Sequence, residues 1–201
     1  MTKLVEYMQQ LSRLTDAQLI RSYLKGHEQA LEVLIIRHKD RIFTAIVMLV
    51  KDRNLAEDLF QDAFLKIIKT IQEKRYNEQG KFLPWAMRIA RNLCMDYFRK
   101  PKHDKTIFME SGEEIYELLP FSTESEGHRY EINQTNTAVR QLVEDLPEDL
   151  REVVVLRLYA DLSFKEIGDL TGVSINTALG RMRYALINLR KKIEQNELVL
   201  R

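Results

Sequence analysis

An all-α fold of two helical domains joined by a flexible linker is what this sequence predicts, and three observations carry that expectation. Only 7 glycines and 4 prolines punctuate 201 residues, so long stretches run without a residue that breaks a helix. Apolar residues recur at steps of three and four through most of the chain, the spacing that lines one face of an α-helix. Between the two periodic blocks, residues 101–137 lose that pattern and collect Ser, Glu, His, Asn and Gly, which is linker composition.

In the first block, residues 1–100, the pattern predicts helices over Asp16 to Lys25, His27 to Val50, Asn54 to Gln72 and Phe82 to Lys100, with Pro101 ending the block. On a helical wheel of the third of these, Ala56, Phe60, Ala63, Phe64, Ile67 and Ile71 share a core face. Asp58, Gln61, Asp62 and Leu65 lie away from it, so two carboxylates, an amide and one exposed leucine make a compact surface. Such a surface is either a solvated acidic face or a docking patch for a basic helical partner. Leu65 favours docking, because an apolar residue ringed by charge is how an interface core with a polar rim begins.

The helix after Pro84 sets Ala86, Ala90, Leu93, Cys94 and Tyr97 on its apolar side, while Trp85, Arg88, Asn92, Asp96 and Arg99 form a second stripe pointing away. An indole, guanidinium groups and short amide or carboxylate side chains in one row suit stacking on an unpaired base and hydrogen bonding to its edges. The plainer alternative keeps Trp85 for packing and leaves the rest as polar surface. The segment from Glu73 to Lys81, with Tyr76, Asn77 and Gly80, is placed to wall a pocket for such a base. In the linker, Ile115-Tyr116-Glu117-Leu118-Leu119 is the one run with the look of a short helical turn.

The second block, residues 138–201, is periodic from Ala138 to about Gln195 and carries a helix-turn-helix pattern. Leu146-Pro147-Glu148-Asp149-Leu150 opens one helix. Ser163 and Glu166 have the spacing of a capping box, Gly172 supplies a turn residue, and Ser174 is a good N-cap for a final basic helix. On that helix the wheel assigns Ile175, Ala178, Leu179, Met182, Leu186, Leu189 and Ile193 to the core. It turns Asn176, Thr177, Gly180, Arg181, Tyr184, Asn188 and Lys191 toward a major groove, with Ser174 at the start of the row. No acidic residue falls between Asp169 and Glu194 to repel a phosphate.

Bulk properties narrow the function classes. The formal charge is only +1, but it sums opposed patches: Gln79 to Met95 has no acid and carries Lys81, Arg88 and Arg91, whereas residues 101–136 are rich in Glu. Cys94 stands alone and cannot form an internal disulfide. No signal-peptide pattern opens the chain, and the longest apolar stretch, Ala45 to Val50, is far too short to span a bilayer. The expectation is a cytoplasmic protein without membrane insertion. The 4 histidines form no metal-ligand cluster, and neither a glycine-rich phosphate loop nor a nucleophile with its base is present. No enzyme activity and no cofactor are therefore expected.

Three motifs, in order, give a specific resemblance: Ala56-Glu57-Asp58-Leu59-Phe60-Gln61-Asp62-Ala63-Phe64, Phe82-Leu83-Pro84-Trp85-Ala86-Met87-Arg88-Ile89-Ala90-Arg91-Asn92, and Leu146-Pro147-Glu148-Asp149-Leu150-Arg151. The chain resembles the extracytoplasmic-function sigma factors of bacterial RNA polymerase. The resemblance covers residues 30–100 and 138–192. It implies a region 2 helical bundle that docks on the beta-prime clamp helices through Asp58, Gln61 and Asp62, with Asn92 lining a pocket for a base flipped from the minus-ten element and Asp96 at a second promoter-contacting position. It also implies a region 4 helix-turn-helix that reads the minus-thirty-five element and sits on the beta flap, and an anti-sigma factor that covers these surfaces. The sequence departs from the family by placing Leu179 and Gly180 before Arg181, where most relatives have a basic residue and a serine. The rival reading is a helix-turn-helix regulator that binds operator DNA, usually as a dimer, without polymerase.

Overall fold

The computed structural model describes residues 2–77, 81–99 and 141–195. The expected linker over 101–137, its turn at Ile115 to Leu119, and Gly80 lie outside the described residues. In chain order the helices are α1 (Thr2–Ser12), α2 (Asp16–Tyr23), α3 (Glu28–Val50), α4 (Arg53–Gln72), α5 (Phe82–Arg99), α6 (Glu148–Leu158), α7 (Phe164–Thr171) and α8 (Ile175–Gln195). Among the described residues there is no strand, and the all-α, two-domain expectation holds.

The helix boundaries follow from local chemistry. Thr15 caps α2 with a full capping box, its hydroxyl accepting from the Gln18 amide while the Gln18 side chain accepts from the Thr15 amide. Lys51 turns left-handed at φ 59° to end α3, and Asp52 at once caps α4 by accepting from the Leu55 amide. Pro84 sits in the first turn of α5, where its missing N–H costs nothing.

The sequence reading passed over α1, whose signal is the short spacing Tyr7, Met8, Leu11. Leu11 is buried, and the helix packs on α3. Its C-terminal end is closed by Arg37, which donates to the carbonyls of Ser12 and Leu14 at 2.9 Å and pairs with Asp16 at 2.7 Å. His38 Nε2 reaches the other Asp16 oxygen at 2.9 Å. Burial pushes the Asp16 carboxyl up, but the hydrogen bonds and charges of His38 and Arg37 outweigh it and hold the carboxyl below its ordinary value.

Helix α3 is the member on which the first domain assembles, touching α1, α2, α4 and α5. Its side chains at 33, 34 and 35 are all buried in succession, which one amphipathic face cannot do. Phe43 meets Phe60 of α4 edge-on at 5.5 Å, which fixes α4 across it, and Phe60 in turn lies 4.7 Å from Phe64 on the same helix.

In the second domain, α6 packs on α8 and α7, and α7 on α8. Ser163 and Glu166 form the expected capping box, and Gly172 ends α7 at φ 74°. Ser174 Oγ accepts from the Thr177 amide at 3.0 Å and starts α8. The glycine that sets the angle of the turn is one the sequence reading did not single out. A Cβ on Gly168 would stand 2.7 Å from the Val173 carbonyl oxygen, because the chain folds back there and Val173 N–H donates to the Gly168 carbonyl at 3.0 Å. The two domains also touch: α6 lies against α3.

Gly168→Ala should therefore destabilise the protein by about 1–3 kcal/mol, since a backbone oxygen cannot swing aside as a side chain can. Chemical denaturation of wild type and variant measures it; a change near zero would show that the turn relaxes freely.

Candidate nucleic-acid interface

Helix α5 presents the two faces that its spacing predicts. Ala86, Ala90 and Cys94 are buried against α3 and α4, and burial pushes the Cys94 thiol up to about 12, which removes it as a nucleophile. Opposite them Arg88, Asn92, Asp96 and Arg99 are exposed in one row, with Asp96 and Arg99 3.6 Å apart. Trp85, assigned to the head of that row, is different. It is half-buried and packed on the core, its ring centroid 4.4 Å from that of Tyr76 and 5.8 Å from that of Phe82. Trp85 shares the row's azimuth on the helix, but the chain just before α5 lays Tyr76 against the indole and Phe82 lies beside it, so its apolar area is taken out of solvent. The result is an aromatic pair of Tyr76 and Trp85 at one end of an exposed polar row.

On α4 all six residues of the predicted core face are buried, together with Leu59 and Ile68. Asp58 is exposed; Gln61, Asp62 and Leu65 are half-buried. Leu65 is thus less open than the wheel suggests, though it is not among the residues packed on the core. The four side chains remain on one surface.

Helix α8 departs most from its wheel. Only Ala178 and Ala185 are buried. Met182, Leu189 and Ile193 are half-buried, while Ile175, Leu179 and Leu186 are exposed, Leu179 at 44%. Leu179 and Leu186 are not core: with Phe164, Met182 and Ile187 they line an open groove of about 680 Å³ edged by Arg183 and Arg190. Among the described residues α6, α7 and the short stretch 141–146 are too small to cover so wide an apolar stripe, and a wheel cannot know how much cover exists. A Cβ on Gly180 would meet nothing within 4 Å among the described residues, so packing against one of their helices does not explain it.

Of the predicted DNA-facing residues, Ser174, Asn176, Thr177 and Tyr184 are exposed, Tyr184 at 64%. Ser174 and Thr177 are also tied together, their hydroxyls 2.9 Å apart. Arg181 does not project freely: it is half-buried, with Nε 3.3 Å from Asp149 at the start of α6. Asn188 turns its amide back to the Tyr184 carbonyl, while Lys191 is exposed. Arg183 and Arg190 are exposed cations that the sequence reading missed; steps of three and four from Asn176 and Gly180 would have found Arg183. Among the described residues no group of three His, Cys, Asp or Glu could hold a metal ion.

Comparison with known proteins gives these surfaces their context. Residues 34–103 match the family model of sigma-70 region 2 and residues 136–185 that of sigma-70 region 4. Over 174 residues the chain is 31% identical to RNA polymerase sigma factor CarQ of Myxococcus xanthus, covering 86% of this chain and 94% of that protein. The chain belongs to the extracytoplasmic-function sigma factors.

This sigma factor is also 28% identical to the extracytoplasmic-function RNA polymerase sigma factor SigW of Bacillus subtilis, over 87% of its own length and 94% of SigW. Its fold is shared with CnrH, solved in complex with the cytosolic domain of CnrY, at a TM-score of 0.60 and 19% identity over 90% of this chain and 99% of CnrH. It is shared also with the sigma factor RpoE of Bartonella quintana, solved with the anti-sigma factor NepR, at a TM-score of 0.58 and 18% identity over 80% of this chain and 94% of that one. The sigma factor acts in promoter-directed transcription initiation by RNA polymerase, and a regulator working apart from polymerase is not favoured.

The division of α5 into a packed head and an open row is measurable as stability. Trp85→Ala should cost about 2 kcal/mol, somewhat under the range for fully buried aromatics, and Asn92→Ala within about 0.5 kcal/mol, as for exposed sites. Equal losses on thermal denaturation would contradict this division.

Proposed function

We propose that residues 1–100 of this sigma factor dock on core polymerase and open the minus-ten element, that residues 138–201 read the minus-thirty-five element, and that residues 101–137 tether the two. The observation that carries the reading is the exposed row Arg88, Asn92, Asp96 and Arg99 beside the Tyr76 and Trp85 pair. Asn92 both donates and accepts, so it can pair with the Watson-Crick edge of an extruded base. Extrusion costs a few kcal/mol. Stacking on an aromatic ring returns about 1–3 kcal/mol per base, and the half-buried Trp85 and Tyr76 rings supply that surface without having to move far. Arg88 and Arg99 hold phosphates.

Docking on the beta-prime clamp helices is assigned to Asp58, Gln61, Asp62 and Leu65, a surface whose carboxylates suit a basic helix. Contact with the beta flap is assigned to the groove of Phe164, Leu179, Leu186 and Ile187, whose exposed apolar area suits a protein surface rather than duplex DNA. Duplex readout falls to Ser174, Asn176, Thr177, Gly180, Arg181 and Tyr184. Arg181 must leave Asp149 to read a base. An ion pair this accessible is worth about 0–1 kcal/mol against about 1–3 kcal/mol for a bidentate guanine contact, so the exchange favours DNA.

The solved complexes of CnrH with CnrY and of RpoE with NepR support an anti-sigma partner for this chain as well. A cytoplasmic location fits, and no helix among the described residues is long and apolar enough to cross a membrane. No covalent chemistry and no cofactor are assigned.

Asp58→Lys with Asp62→Lys should weaken core binding at least tenfold while leaving helical content unchanged; unaltered affinity in a titration with core would remove the docking assignment. Arg181→Ala should lose about 1–3 kcal/mol of discrimination at one upstream base pair, seen in affinities of holoenzyme for upstream variants, and should leave downstream preferences alone. Asn92→Ala tests the central assignment. It should keep core binding and upstream recognition but lose permanganate-reactive thymines in the promoter, with activity partly restored on a template mismatched at the minus-ten element. Normal opening by this variant would leave Asn92 as mere surface.

A further inference from the structure

Gly180 is the residue of α8 that its own domain does not explain. A glycine inside a helix is disfavoured about fivefold relative to alanine, so its presence there needs a reason. Conformation is not the reason: Gly180 lies in the interior of α8, and the described glycines with a positive φ are Gly26 and Gly172. Packing is not the reason either. A Cβ at 168 would strike the Val173 carbonyl oxygen, whereas one at 180 would meet nothing within 4 Å among the described residues. Nor does Gly180 line the apolar groove of Phe164, Leu179, Met182, Leu186 and Ile187, so a protein seated in that groove does not require it.

What remains is a gap in the face that α8 turns away from its buried Ala178 and Ala185. Asn176 and Thr177 stand one turn before Gly180, Arg183 and Tyr184 one turn after it on the same side, and all four are exposed. A missing side chain among these leaves a hole about the size of a methyl group. Its floor is the α-carbon, because the Gly180 N–H and C=O are taken up by the helix ladder, and on its rim the Thr177 hydroxyl is engaged with that of Ser174 at 2.9 Å. The floor of the hole therefore offers carbon rather than a donor or an acceptor. Along the major-groove edges of the base pairs the one apolar group is the thymine C5 methyl; the other features are donors and acceptors. We propose that Gly180 takes the methyl of one thymine in the upstream element, and so makes this chain selective for thymine at that position by shape rather than by a hydrogen bond. The proposal rests on the assignment of α8 to duplex readout made above and names what one position of that helix reads. With the methyl seated, the helix backbone comes close enough for a short side chain such as Asn176 to reach base edges. A side chain at 180 would hold the whole helix out by the width of a methyl group.

The test uses the full chain in complex with core polymerase. The upstream element that this holoenzyme prefers is first selected from duplexes randomised over that element. Each thymine in it is then replaced singly by deoxyuridine, which removes the methyl and leaves the pairing edge unchanged. For wild type, one replacement should weaken binding about 4-fold, the loss of one buried methyl, and the others less. Gly180→Ala puts a methyl into the hole. It should weaken binding to the thymine duplex by about 5- to 150-fold, the usual effect of overpacking, and deoxyuridine at that same position should restore most of the loss. The same substitution should raise the thermal midpoint of the free chain by about 2–4 °C, so weaker binding cannot be put down to a damaged fold. Binding by Gly180→Ala as tight as wild type, or a loss that is the same on every thymine and deoxyuridine duplex, would overturn the inference while leaving α8 as the reading helix. Indifference of the wild-type holoenzyme to the upstream sequence would remove the duplex-reading assignment, and this inference with it.

Discussion

Everything in this molecule is built against α3. A helix covered by α1, α2, α4 and α5, and by α6 from the second domain, is left open to solvent only near its start and around Ile36, Arg37 and Asp40. Its own sequence shows why, since Ala30, Leu31, Val33, Leu34 and Ile35 are buried almost in succession. The polar groups it does carry inward are tied. Arg37 and His38 converge on Asp16 and on the free carbonyls at the end of α1, so the entry of the chain is attached by charge to the helix that the apolar residues bury. Without that central helix, α4 and α5 would have no common surface to set their outer faces.

Those outer faces carry the residues proposed to meet polymerase and promoter, and they follow from packing on the inner ones. Small residues Ala86, Ala90 and Cys94 let α5 approach its neighbours closely, and 3.6 residues per turn then leave Arg88, Asn92, Asp96 and Arg99 pointing out. The same logic on α4 turns Asp58 outward from Phe60 and Phe64. In each case a mutation on the inner face would move the outer one, so loss of promoter opening by a buried substitution says nothing by itself about DNA contact.

The second domain solves a harder problem with less material. The proposed duplex-reading helix α8 stands clear of its own domain, which leaves it little apolar cover. Two glycines with different duties make the tight angle possible: Gly172 supplies a left-handed residue and Gly168 supplies room for the Val173 carbonyl. What α7 and α6 do not cover, Leu179, Leu186 and Ile187, stays in the open groove. Charge is used to compensate: Lys81 reaches Glu166 from the first domain, and with Ser163 it draws that carboxyl down to about 2.

Local signals in the chain were enough to determine the helices from α2 onward, the caps at Ser163 and Ser174, the turn at Gly172, the buried faces of α4 and α5 and the row Arg88 to Arg99, because each depends on neighbours within a turn or two. Helix α1 was legible only in a spacing of three residues, too short a pattern to stand out. Four features needed the tertiary structure. Trp85 joined Tyr76 and Phe82, Arg181 turned to Asp149, Leu179 and Leu186 failed to find a core, and α6 gained a second covered side from α3. A helical wheel ranks residues around one axis, but burial is decided by how many other helices arrive and from which direction. That number is a property of contacts far apart in sequence, such as Arg91 with Glu152, and no periodicity within one helix encodes it.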